Sequence, residues 1–127
     1  MFAGNDRTAP FSIVAVEDYP TIRIVRLQGT LDQRRVADLE HFRKWVEKHH
    51  GFKQKHVLLD FKKVTQVDTS AVAEVIQAVS ELKTGHFRLG VINLNETVRG
   101  MFQVLKVEQL VVFYNNESEA VEDFKNR

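Results

Sequence analysis

The run Val57-Leu58-Leu59-Asp60-Phe61 is apolar at every position but one. A strand with one solvated face alternates apolar and polar residues, so a nearly unbroken run indicates a strand covered on both faces. Parallel sheets flanked by helices contain such strands. Parallel neighbours need crossover connections, and helical patterns stand on both sides of this run. Upstream, Val36, Leu39, Phe42, Val46 and His49 recur at three- and four-residue spacing between about Gln33 and His50. Arg34, Arg35, Glu40, Arg43, Lys44 and Glu47 fall mostly off that stripe, and Gly51 suits a helix C-cap. Downstream, Val72, Val75, Ile76, Val79 and Leu82 form a second stripe that stops near Gly85.

The remaining segments complete the order. Ser12–Val16 and Thr21–Leu27 are β-branched runs separated by Glu17-Asp18-Tyr19-Pro20, which predicts an opening hairpin with its first strand at an edge. Gly29 is expected to end the second strand. Phe87–Ile92 and Leu110–Phe113 read as strands. Val98, Met101, Phe102 and Leu105 mark a short helix, and Glu117–Phe124 a last one with Ser118 in its acidic first turn. The predicted order is β-β-α-β-α-β-α-β-α: an α/β sheet of about five strands with four helices, mostly parallel, with one antiparallel edge. Residues 1–10 read as a flexible lead-in and 11–127 as a single domain, a division that the length of 127 residues allows.

Charge excludes some roles. Lys and Arg are interspersed with Asp and Glu to a net charge of +1, so the basic stripe of a nucleic-acid binder is missing. There is no cysteine, which removes disulfides, thiolate catalysis and Cys-based zinc sites. Asn5, Asp6 and Arg7 stand where a signal peptide needs apolar residues. The apolar run Phe11–Val16 is far short of the roughly 20 residues that cross a bilayer. A cytoplasmic location without membrane insertion is expected.

In open α/β sheets, binding residues collect in loops at the carboxyl ends of the strands. Three such loops are predicted: Gly29–Gln33 with Thr30 and Asp32; Lys62–Ser70 with Lys62, Lys63, Thr65, Gln66, Asp68, Thr69 and Ser70; and Asn93–Thr97 with Asn93, Asn95 and Glu96. Neither a GxGxxG nor a P-loop pattern occurs, and no cofactor is expected. Asp68-Thr69-Ser70 places three helix-capping residue types in succession where one suffices. Capping accounts for one of them; at least one hydroxyl is left to point outward.

Gly29-Thr30-Leu31-Asp32, Val57–Phe61 and above all Val67-Asp68-Thr69-Ser70-Ala71 resemble the STAS domain of anti-sigma factor antagonists, as does Asn93–Arg99 leading into the third helix. The resemblance spans roughly residues 12–124 and carries the same element order. It implies a non-catalytic regulatory module that binds an anti-sigma factor or a serine/threonine kinase-like protein. In that family a partner kinase phosphorylates the hydroxyl directly after the Asp, so the resemblance implies Thr69 as the acceptor, with Ser70 as the alternative. Asp32, Lys62, Lys63, Asp68, Thr69, Ser70 and Asn95 are the implied partner-binding residues. The family pattern is Asp-Ser-Ser-Gly; this chain has threonine at the acceptor position and Ala71 in place of glycine. A constitutive scaffold, in a stress-signalling assembly or a lipid-transport ATPase, is the rival reading.

Other chemistries find little support. His41, His49, His50, His56 and His86 include no HxxxH pair, and His49-His50 suit a helix end. No Gly-x-Ser-x-Gly elbow exists, and Glu117 and Glu119 belong to a solvated turn. Glu96 is expected to complete a capping box with Asn93. Phe42, Trp45, Phe87 and Phe102 are assigned mostly to the core, with Trp45 off its helix's best stripe.

Overall fold

A computed structural model describes residues 11–31, 36–48, 55–80, 87–105 and 109–126. The expected lead-in 1–10 lies outside the described residues, as do Asp32, His49, His50, Gly51, Leu82, Gly85 and His86. The elements are β1 (Ser12–Asp18), β2 (Ile22–Leu31), α1 (Val36–Lys48), β3 (His56–Val67), α2 (Thr69–Ser80), β4 (Leu89–Ile92), α3 (Glu96–Leu105), β5 (Val112–Phe113) and α4 (Glu117–Lys125). They form one five-stranded sheet in the order β1-β2-β3-β4-β5. β1 pairs antiparallel with β2, and every later pairing is parallel. The order and mixed sheet agree with the sequence reading.

Alternation along the strands sorts the helices. Val25, Leu27, Val57, Leu59 and Val91 point into the larger core with residues of α1, α2 and α3. Ile22, Ile24, Leu58 and Ile92 point the other way, onto Tyr114, Ala120 and Phe124. The central strands are therefore buried on both faces, as the apolar run required. Phe124 also stacks on the buried His56 ring, 4.8 Å between centroids. The His56 Nδ1 accepts the Arg88 N–H at 2.9 Å, so this histidine is a satisfied core residue. Trp45 packs, partly buried, against the larger core.

β1 runs on through Glu17 and Asp18, which the sequence reading placed between the two hairpin strands, while β4 begins only at Leu89 and β5 at Val112. Two larger differences share a cause. β2 does not stop at Gly29, and β3 does not stop at Phe61. The cause is a pair of bulges. Between the pairs Arg26↔Asp60 and Gln28↔Lys63, β3 advances one residue more than β2, and it does so again between Gly29↔Val64 and Thr30↔Gln66. Gly29 supplies the left-handed φ of 99° at the second irregularity. Beyond Phe61, burial recurs every third residue, at Val64 and Val67. A period of three matches neither a two-residue strand repeat nor a helix, so the segment reads as a loop in sequence.

Candidate functional site

β2, β3 and β4 are parallel, so their carboxyl ends open onto the same rim of the sheet. At the end of β3, Asp68 precedes α2. Its Oδ1 accepts the Ala71 N–H at 2.8 Å and its carbonyl accepts the Val72 N–H at 3.1 Å. Asp68 is thus the N-cap. Thr69 is the first helical residue and half-buried; Ser70 follows and is exposed. Among the described residues, neither hydroxyl is engaged in a hydrogen bond. Ala71 is sealed in the core.

The β4–α3 corner is built differently from the expected capping box. Asn95, not Asn93, caps the helix: its Oδ1 accepts the Val98 N–H at 2.8 Å, and its carbonyl the Arg99 N–H at 2.9 Å. Asn93 takes a left-handed φ of 62°, which asparagine tolerates better than most residues. Its side-chain amide donates to the Asp60 carboxylate at 2.8 Å instead of capping the helix. Glu96 is exposed in the first turn.

Lys62 and Lys63 are exposed, but they lie within β3 and not in a loop. Thr65 and Gln66 are strand residues as well. Thr30, expected in the first loop, is buried near the end of β2 with its Oγ1 3.3 Å from the Thr65 hydroxyl. Thr65 can also donate to the Gly29 carbonyl at 3.3 Å. The rim thus brings Asp68, Thr69 and Ser70 to the start of α2 and Asn95 to the start of α3, while the two lysines sit back along β3.

Sequence reasoning missed a polar centre beneath the rim. Asp60, only 5% exposed, accepts from the Lys62 N–H at 2.9 Å and the Asn93 amide at 2.8 Å through Oδ1. Its Oδ2 accepts from Arg26 at 2.8 Å. The same guanidinium reaches Glu117 at 2.8 Å and Glu17 at 2.8 Å. Burial alone would raise the Asp60 carboxyl. Hydrogen bonds from Asn93, from the Lys62 N–H and from Arg26 outweigh it and hold the group below the ordinary carboxylate range. Hydrogen bonding to Glu117, Asp60 and Glu17 likewise raises Arg26, against its own desolvation. The available signal was a lone acid inside a buried strand, since such a charge requires a partner.

The centre is structural wiring. The Lys62 N–H that Asp60 receives lies where the first bulge interrupts the ladder with β2, and Asn93 is the residue that turns β4 toward α3. One carboxylate therefore shapes two parts of the rim. Among the described residues, no three metal-ligating side chains come together, and no helix is long and apolar enough to cross a membrane.

The family model of the STAS domain matches residues 14–120. The chain belongs to the STAS domain family. No curated protein matches its sequence. Among solved structures, this STAS domain is similar to an anti-sigma factor antagonist from Mycobacterium paratuberculosis, at 16% identity and a TM-score of 0.72, over 93% of this chain and 98% of that one. The anti-sigma factor antagonist SpoIIAA in its unphosphorylated form is 19% identical, with a TM-score of 0.66 over 91% and 98% of the two chains. The Bacillus cell fate determinant SpoIIAA in the phosphorylated form is 20% identical, with a TM-score of 0.60 over 91% and 100%. At these identities the likeness is one of fold.

Proposed function

We propose that this STAS domain is a non-catalytic, cytoplasmic regulatory module that binds a partner protein through its rim and is switched by phosphorylation of Thr69. The family and the fold shared with anti-sigma factor antagonists support the regulatory reading. One observation carries the choice of residue. Asp68 alone caps α2, and the partly exposed Thr69 hydroxyl has no hydrogen bond among the described residues. Ser70, equally unengaged and more exposed, is the alternative acceptor.

Phosphate on Thr69 adds about −1.5 to −2 charges and three acceptor oxygens. The first turn of α2 tolerates that charge, because its free N–H groups and macrodipole are positive there. The helix survives modification. The neighbouring Asp68 carboxylate does not move away, since it is held on the Ala71 N–H. The doubly acidic corner then repels an acidic or apolar partner surface, so binding changes by local electrostatics without refolding. The partner is an anti-sigma factor or a serine/threonine kinase-like protein, and a kinase partner supplies the ATP chemistry. Asp32, Lys62, Lys63 and Asn95 complete the proposed contact set.

Phosphopeptide mass spectrometry on the chain purified from its own cells tests this reading, with Thr69→Ala and Ser70→Ala as controls. Phosphate on residue 69, lost in Thr69→Ala, supports the switch. Its absence under all growth conditions, with partners still captured by Thr69→Ala, rejects the switch and leaves a constitutive scaffold.

A further inference from the structure

The carboxyl half of β3 displays its side chains in pairs. Phe61, Val64 and Val67 enter the larger core, and the residues between them, Lys62-Lys63 and Thr65-Gln66, are exposed. A regular strand would send the two lysines of an adjacent pair to opposite faces. The register shifts against β2 prevent that, because a bulge sets two residues of one strand against one of its partner. Lys63 stands in register with Gln28, two residues past Arg26 on β2, so the pair lies on the sheet face opposite the larger core. α4 packs further back on that face, where its first residue, Glu117, reaches Arg26.

Charge selects what this open stretch accepts. Arg26, on the same face, is already shared among Asp60, Glu117 and Glu17. Lys62 and Lys63 have no ion pair and no side-chain hydrogen bond among the described residues. Two adjacent, exposed and uncompensated ammonium groups attract carboxylates. The exposed amide of Gln66 adds a hydrogen-bond donor beside them. A single-stranded nucleic acid would want aromatic side chains for its bases, and none of these exposed residues is aromatic. Thr69 follows Lys63 by six residues, hence within about 22 Å. One interface of ordinary size, about 800 Å² on each partner, covers both.

We propose that Lys62 and Lys63 seat an acidic segment of the partner protein. The assignment rests on the rim being the partner-binding surface. It also gives the switch a direction: phosphate on Thr69 repels that acidic segment, so modification releases the partner.

NMR titration of the full chain with a synthetic peptide of alternating glutamate and serine tests the site. The peptide is expected to shift the amides of residues 62–66, with an affinity that falls as salt is added. Lys62→Glu/Lys63→Glu is expected to weaken it about fivefold or more. The same variant should instead bind a lysine–serine peptide at those amides, which also shows that it folds. Lys44→Glu/Lys48→Glu makes an equal change of charge on exposed positions of α1 and is expected to leave binding at residues 62–66 within about twofold. The proposal is overturned by an absence of shifts at residues 62–66, by an equal loss in the α1 variant, or by a thymidine oligonucleotide that binds the same amides as tightly. Thr69→Glu separates the site from the switch. Weaker peptide binding supports release by phosphorylation. Unchanged binding, with the lysine dependence intact, rejects that release and retains the acidic-segment site.

Discussion

The Asp60 carboxylate and the Asn93 side-chain amide lie 2.8 Å apart and join the bulged middle of β3 to the corner where β4 gives way to α3. The contact lets a non-glycine residue hold a left-handed backbone, because the side chain that makes the conformation tolerable is anchored on a buried acid. Arg26 completes the arrangement from β2 and draws in Glu117 at the start of α4.

Removing that acid will be costly. Asp60→Ala leaves the Lys62 N–H, the Asn93 amide and one face of Arg26 without their acceptor, and is expected to lower stability by about 3 kcal/mol. Asp60→Asn keeps the shape and part of the bonding, for a loss of about 1–2 kcal/mol. Urea denaturation of the two variants checks the order; equal and negligible losses would contradict the assigned role.

Acid should weaken the fold through the same group. The folded-state pKa of Asp60 lies below its ordinary value, so its contribution is complete above the unfolded pKa and is lost as pH falls through the folded one. Asp18 acts in the same direction: hydrogen bonding to Arg23, then Lys55, outweighs desolvation and lowers it from 3.8 to about 2. Urea midpoints should therefore be level near neutrality and decline below pH about 4. In Asp60→Asn the decline should be shallower.

Capping and signalling residues at the start of α2 are separable. Asp68→Ala removes the cap on the Ala71 N–H and should cost about 1 kcal/mol. Thr69→Ala and Ser70→Ala remove hydroxyls that are not hydrogen-bonded among the described residues and should stay within about 0.5 kcal/mol. Thermal and urea unfolding of the three variants distinguish the roles. A large loss in Thr69→Ala would make that hydroxyl structural.

Two glycines should respond with opposite sign. A Cβ on Gly90 would stand 2.8 Å from the Tyr114 ring and 3.0 Å from that of Phe124, both buried in the smaller core between the sheet and α4. Gly90→Ala is expected to destabilise by about 1–3 kcal/mol. At Gly100, inside α3, a Cβ meets nothing within 4 Å, so Gly100→Ala should stabilise by about 0.5–1 kcal/mol through helix propensity. Denaturation midpoints moving the same way in both variants would refute this reading.

Much of this domain was legible without coordinates. The apolar run at Val57–Phe61 and the three- and four-residue spacings of Leu39–Val46 and Val72–Val79 record which faces are buried, and burial is imprinted residue by residue. From them followed the element order, the mixed sheet and the rim as the place to look. The capping type at Asp68 was visible for the same reason, since a cap is satisfied within its own first turn, whereas the cap of α3 was read too early, at Asn93 instead of Asn95.

Tertiary structure decided the rest, because it depends on which strand faces which residue. The extension of β3 through Lys62 and Lys63 is set by register shifts against β2, and a register shift leaves no local period. Asn93 prefers Asp60 over capping α3 only because β3 and β4 lie side by side. Arg26, Asp60 and Glu117 are 34 and 57 residues apart along the chain and meet only once the sheet and α4 have closed around them. Local pattern specifies what each segment wants to bury; the partners of a buried charge are chosen by the fold.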